Sequence, residues 1–255
     1  MADDATTPRR AVSADKRFFF VHIQKTGGTS LFRLIRVGQV FTDAEVYPNR
    51  SDGDLYNLGP QVSVSHLTSR WIERGDEIRL VAGHFPLCTT QLLGGGFTTL
   101  TLLREPVERT LSYLRHFRAS TPEASDKPLE EIYEDPVRFR RLVHNHMVKM
   151  FALKPSEMDS GMMTEIHFTP AHLARAKEQL ATVDVLGLSE RFEDFRVELV
   201  QRFGWQLGDT IYANRTPHVK VPAELRARIA NDNALDVELY EFARQLTASR
   251  QRSHA

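Results

Sequence analysis

Short apolar, β-rich runs recur along the chain at RFFFVHI (17–23), EIRLVAGH (77–84), TTLTLLR (98–104) and VDVLGL (183–188). Apolarity that persists over four to eight residues fits strands buried on both faces of a parallel sheet. Between the runs the pattern shifts to helical spacing. GTSLFRLIRV (28–37) sets Leu31, Leu34 and Ile35 on one face, and PVERTLSYLRHF (106–117) starts with proline at the first helical position. DPVRFRRLVHNHMVKMFA (135–152) reads as one helix, with Phe139, Val143, Met147 and Met150 along a stripe after an Asp-Pro start. Further helices are predicted at 169–181 and 189–203, and the tail reads as two helices meeting near Asn231–Asn233. Alternating strands and helices predict an α/β fold, a central parallel β-sheet flanked by helices on both faces.

The stretch 38–76 breaks this rhythm with Pro48, Asn49, Asp52, Gly53, Gly59 and Pro60, and it reads as a long loop. Residues 1–16 read as a disordered lead-in and 17–250 as one domain. Hydrophobic residues make up 41% of the 255 and charged residues 26%, ordinary values for a globular protein. Lys+Arg and Asp+Glu balance at 33 each, so sequence-independent nucleic-acid binding is not expected, and any anionic ligand needs a local cluster of cations. No segment has the roughly 20 apolar residues of a transmembrane helix. The polar N-terminus lacks the apolar core of a signal peptide. Cys88 is the only cysteine, which points to a reducing, cytoplasmic setting and to a small buried hydrophobe rather than a reactive thiol.

Candidate chemistry begins where the first strand meets the first helix, in HIQKTGGTSL (22–31). Unpaired N–H groups and the dipole at a helix start form an anion site. Lys25 adds charge, Thr29 and Ser30 add hydroxyls, and Gly27 and Gly28 let the backbone pass close to a ligand. A nucleotide-triphosphate P-loop reads G-x-x-x-x-G-K-[ST]; here Gln24 stands where the glycine before the lysine belongs, and the glycines follow the lysine instead. Such a loop suits one phosphate better than a triphosphate with magnesium. TLLREPVERTLSYLRHF (101–117) repeats the strand-to-helix layout. Arg104 stands at the strand end with a guanidinium able to hold a phosphate bidentately, and Ser112 lies on the helix that follows. Two such sites call for a ligand with two separated phosphates.

HIQKTGGTSL and LLREPVERTLSYLRH resemble the two phosphosulfate-binding signatures of sulfotransferases, of the carbohydrate-modifying type that includes heparan sulfate 2-O-sulfotransferase. HNHMVKMFA (144–152), VDVLGLSERFED (183–194) and RARIANDNALDVELYEFA (226–243) continue the likeness, which spans roughly 17–246. Gln24 departs from it, standing where the family usually has proline. The resemblance implies a P-loop-like fold and 3′-phosphoadenosine 5′-phosphosulfate (PAPS) as donor, with no metal. Lys25, Thr26, Gly27, Gly28, Thr29 and Ser30 would cradle the 5′-phosphosulfate, Arg104 and Ser112 would hold the 3′-phosphate, and Arg215 would lie in a loop closing over the nucleotide. It also implies a hydroxyl of a carbohydrate or glycolipid as acceptor.

Transfer to a hydroxyl needs a base and a cation beside the leaving phosphate. Lys25 suits the second task. His84, after Gly83 in RLVAGHFPL, occupies a Gly-His position comparable to that of the family's base, and imidazole titrates near neutrality. His22, His66 and His116 are weaker candidates. Arg138, Arg140, Arg141, His144, His146 and Lys149 crowd one predicted helix, which reads as a solvated charged face more readily than as an acceptor groove, while Asn145 could orient a sugar hydroxyl. Two other readings stay open: a P-loop-type ATP-dependent kinase, which would want a magnesium pair, and a non-catalytic phospho-nucleotide-binding module.

Overall fold

The structure, a computed structural model, describes residues 16–52, 58–208 and 221–254. The lead-in up to residue 15 and the candidate loop with Asn214, Arg215 and Lys220 lie outside the described residues. In chain order the strands are β1 (Arg17–Val21), β2 (Val46–Tyr47), β3 (Leu80–Gly83), β4 (Phe97–Leu103) and β5 (Val185–Leu188). The helices are α1 (Gly28–Val37), α2 (Leu58–Val62), α3 (Val64–Arg74), α4 (Thr89–Leu92), α5 (Pro106–Ser120), α6 (Leu129–Glu134), α7 (Pro136–Arg138), α8 (His146–Ala152), α9 (Pro170–Thr182), α10 (Phe192–Phe203), α11 (Ala223–Asp232) and α12 (Ala234–His254).

The strands form one sheet in the order β2-β3-β1-β4-β5, and every neighbouring pair is parallel. Because side chains alternate along β1, Phe18 and Phe20 enter one core and Phe19 and Val21 the other. On the first face Leu100 and Leu102 of β4 join Leu31, Phe32 and Ile35 of α1, Phe195 and Leu199 of α10, and Trp205. On the second, Val81 and Leu103 join side chains from α3, α8, α9 and α12. The expected parallel α/β sheet with helices on both faces is therefore present, and buried neighbours on both sides explain why its strands read as continuous apolar runs. Among the described residues, no helix is long and apolar enough to cross a membrane.

Two expectations need correction. The supposed loop 38–76 holds β2, α2 and α3. Its signal was faint because α3 buries only Leu67, and polar bonds supply much of its anchorage. The carboxylate of Asp52 receives Arg70 Nε at 2.8 Å and Arg74 at 2.9 Å, and the Tyr47 hydroxyl donates to the Pro60 carbonyl at 2.9 Å. The supposed helix 135–152 is interrupted: α7 runs into a π-helical turn at Phe139–Val143, and Asn145 takes a left-handed conformation (φ 44°) just before α8. A period of apolar residues can survive such a break, so the pattern alone hides it.

Candidate active site

The β1–α1 turn lies at the carboxyl end of β1, beside the corresponding end of β4. Connections leave this point toward opposite sides of the sheet, the place where open parallel sheets bind ligands. Gly27 holds φ at 105° and serves as the N-cap of α1, with no side-chain cap of its own. Lys25 also lies in the left-handed region, at φ 69°. Below them the Thr26 hydroxyl donates to the Ile23 carbonyl at 2.9 Å, and the Ser189 hydroxyl donates to the Thr26 carbonyl. Thr26 thus props the turn from beneath, with its side chain fully buried, whereas Thr29 is exposed and Ser30 half-buried at the helix start. The two glycines serve different ends. Gly27 is needed for its backbone angle; a β-carbon on Gly28 would sit 2.1 Å from the His22 ring.

Arg104 follows β4 and reaches the same turn, its guanidinium donating to the Lys25 carbonyl at 3.3 Å. Burial and the nearby Arg104 charge lower the pKa of the Lys25 ammonium. A lysine whose charge is disfavoured by burial and by a neighbouring guanidinium suits an anion bound beside it. The second block does not, however, repeat the first. Glu105 caps α5, accepting from Val107 N at 3.0 Å and Glu108 N at 2.8 Å, so that helix start is already filled by a carboxylate. Arg104 acts there through its guanidinium alone. The Glu-Pro pair at 105–106 carried this signal in the sequence. Ser112 is half-buried two turns into α5, and His116, one turn beyond, has its pKa lowered by burial and by the charge of Lys25.

His84 ends β3 on the other side of β1. Its backbone N–H donates to the Gln61 carbonyl at 2.7 Å, so α2 adjoins the site. Its Nδ1 lies 2.6 Å from the His22 carbonyl oxygen. A carbonyl can only accept, so Nδ1 carries the proton and Nε2 keeps its lone pair. Burial lowers the His84 pKa to about 4, the bond to His22 opposing this and the Lys25 charge adding to it. His84, Lys25 and Arg104 therefore belong to one electrostatic neighbourhood at the ends of β3, β1 and β4. His66 has its Nδ1 2.8 Å from the Tyr47 hydroxyl.

The crowded cations of 138–149 do not make one face. Arg140 and Arg141 share Glu165 at 3.0 and 2.8 Å, Arg138 lies 3.7 Å over the Phe117 ring, and Lys149 is buried. Asn145 is also buried, and its side-chain oxygen accepts from Leu235 N and Asp236 N, each at 3.1 Å. That oxygen caps α12. A cavity of about 670 Å³ lies between β5, α10 and α12, and none of the cradle residues lines it. Lys25, Arg104 and the start of α1 converge elsewhere, at the carboxyl ends of β1 and β4.

The profile of the sulfotransferase family matches residues 8–243. Heparan-sulfate 6-O-sulfotransferase 3-B of Danio rerio is 26% identical over 285 aligned positions, covering 94% of this chain and 65% of its own length. Heparan-sulfate 6-O-sulfotransferase 2 of Homo sapiens is 25% identical, over 94% of this chain and 46% of its own. The chain spans less than two thirds of the length of these relatives. A crystal structure of a sulfotransferase from Alicyclobacillus acidocaldarius superposes with a TM-score of 0.47 at 19% identity, covering 89% of this chain and 94% of the other.

Proposed function

The chain belongs to the sulfotransferase family, and from that premise we propose that it moves the sulfuryl group of PAPS to a hydroxyl of a carbohydrate or glycolipid. The likeness to heparan sulfate 2-O-sulfotransferase goes no further than the family, since both curated relatives described above are named as 6-O enzymes. Their names support a glycan as the acceptor. A cytoplasmic site of action belongs to the same proposal, supported by the single cysteine, Cys88, a buried free thiol.

The observation that carries the reading is the meeting of Arg104 and Lys25 over one uncapped helix start. The residues present fit the donor: the first-turn N–H groups of α1, with Lys25, Thr29 and Ser30 beside them, suit the phosphosulfate, and Arg104 with Ser112 suits the 3′-phosphate. The donor supplies a sulfur that bonds to the acceptor oxygen as its bond to the bridging phosphate oxygen breaks. His84 takes the hydroxyl proton on Nε2, which its Nδ1 bond leaves free. Lys25 stands where the leaving phosphate gains charge. Burial keeps His84 neutral at pH 7.

Calorimetry with adenosine 3′,5′-bisphosphate in the absence of metal tests the reading. Micromolar or tighter binding is expected, together with a sulfate mass increment on glycans incubated with PAPS. No binding at millimolar nucleotide would sink it, and magnesium-dependent ATP binding in its place would favour the kinase reading.

A further inference from the structure

His22 lies between the phosphate cradle and the base, and neither role uses its side chain. It follows β1 and is 6% exposed. Its ring stacks on Phe20 at 5.3 Å and 15°, and its centroid lies 4.3 Å from that of His84. On the cradle side, its Cδ2 and Nε2 stand 2.1 Å from the place a β-carbon on Gly28 would occupy. Its carbonyl accepts the proton of His84 Nδ1. One residue therefore touches the base through its backbone and its ring, and the first residue of α1 through the Cδ2–Nε2 side of that ring.

Charge does not explain this placement. Burial, the His84 ring and Lys25 hold the His22 pKa well below the ordinary imidazole value, so the ring is neutral at working pH. Its Nδ1 is buried with no hydrogen-bond partner, a cost that an apolar side chain would avoid. What a flat five-membered ring supplies is a thin spacer that fits only against a residue lacking a β-carbon.

We propose that His22 is a positioning residue whose ring, seated on Gly28, fixes the distance between the start of α1 and the His84 imidazole. This rests on the sulfotransferase reading, because it gives the spacer a purpose: donor and base must keep one geometry. Displacement on the scale of an ångström at such a site costs about 10²-fold in rate.

A double-mutant cycle tests it, read by NMR titration of the His84 ring, by calorimetry with adenosine 3′,5′-bisphosphate, and by turnover. His22→Ala opens a gap beside His84; water enters and the His84 pKa climbs from about 4 toward the ordinary imidazole value. Turnover falls by about 10- to 100-fold, while nucleotide affinity changes no more than about threefold. Gly28→Ala expels the His22 ring and raises the same pKa, weakening nucleotide binding as well. In the double variant the new methyl occupies the vacated space, so the paired effect is smaller than the sum of the singles. Should His22→Ala fail to fold, His22→Asn carries the same expectation. Additive effects, or a His84 titration unmoved by His22→Ala, overturn the proposal. Absent nucleotide binding by the unaltered protein would overturn the sulfotransferase reading instead, and the titration would still judge the spacer.

Discussion

At the end of β3, His84 carries its proton on the nitrogen that faces a carbonyl, which leaves Nε2 as the atom able to accept another. As the proposed base, His84 must be neutral to act, so activity should be lost as pH falls through its pKa. With burial and Lys25 holding that pKa at about 4 in the ligand-free protein, the acid limb of kcat/KM should lie well below 6.5, the ordinary imidazole value. A bound polyanion favours imidazolium, so the acid limb of kcat should lie at higher pH than that of kcat/KM. Both limbs come from pH–rate profiles with the donor held first limiting and then saturating; a kcat/KM limb at 6.5 or above would remove His84 from the role. The histidine was legible in the sequence as a Gly-His pair closing an apolar run. Its tautomer was not, because the carbonyl that sets it belongs to a residue 62 positions away. Gly28 was legible as a glycine of the cradle, yet the neighbour that requires it is the protein's own His22.

Among the elements, α8 and α12 cap each other. Asp236 accepts from Met147 N and Val148 N at 3.0 and 2.8 Å, while Asn145 accepts from the start of α12 and donates its own N–H to Asn233 at 2.8 Å. Asp236 is fully buried alongside Arg109 and Lys149, and burial raises its pKa to about 6 despite those two cations. Asp236→Ala should therefore destabilise the protein by about 3–5 kcal/mol, since it orphans two N–H groups and leaves buried cations without their anion. Denaturant unfolding measures this, and a loss under about 1 kcal/mol would show that the cross-cap matters little. α8 also holds the chain after His84, through the bond from Leu87 N to the Met150 carbonyl at 2.8 Å, so this strut bears on the site. The sequence displayed the ends of α1, α9 and the α11–α12 junction because local caps, prolines and periodicity mark them. It concealed the break at Asn145, whose partners lie 88 to 91 residues away, and α3, which has little apolar face to display.

Across the whole molecule, the neutral balance of 33 cationic and 33 acidic residues leaves no broad field to draw an anion, so affinity has to come from the crevice itself. Parallel strands put the ends of β1 and β4 on the same edge of the sheet, and there Arg104 meets Lys25. The Arg104 guanidinium touches the turn proposed to hold the 5′ group, so its proposed grip on the 3′-phosphate makes a prediction of its own. Comparing adenosine 3′,5′-bisphosphate with adenosine 5′-monophosphate separates the two assignments. If Arg104 grips the 3′-phosphate, Arg104→Ala weakens the bisphosphate by the worth of a charge-assisted pair, about 1.5–3 kcal/mol or roughly 10- to 150-fold, and leaves the monophosphate nearly unchanged. Lys25→Ala should weaken both nucleotides by similar factors, since the 5′ group is common to them. Equal losses from Arg104→Ala would instead assign its guanidinium to the 5′ side, and the 3′-phosphate would then need Ser112, His116 or another group on α5 as its holder.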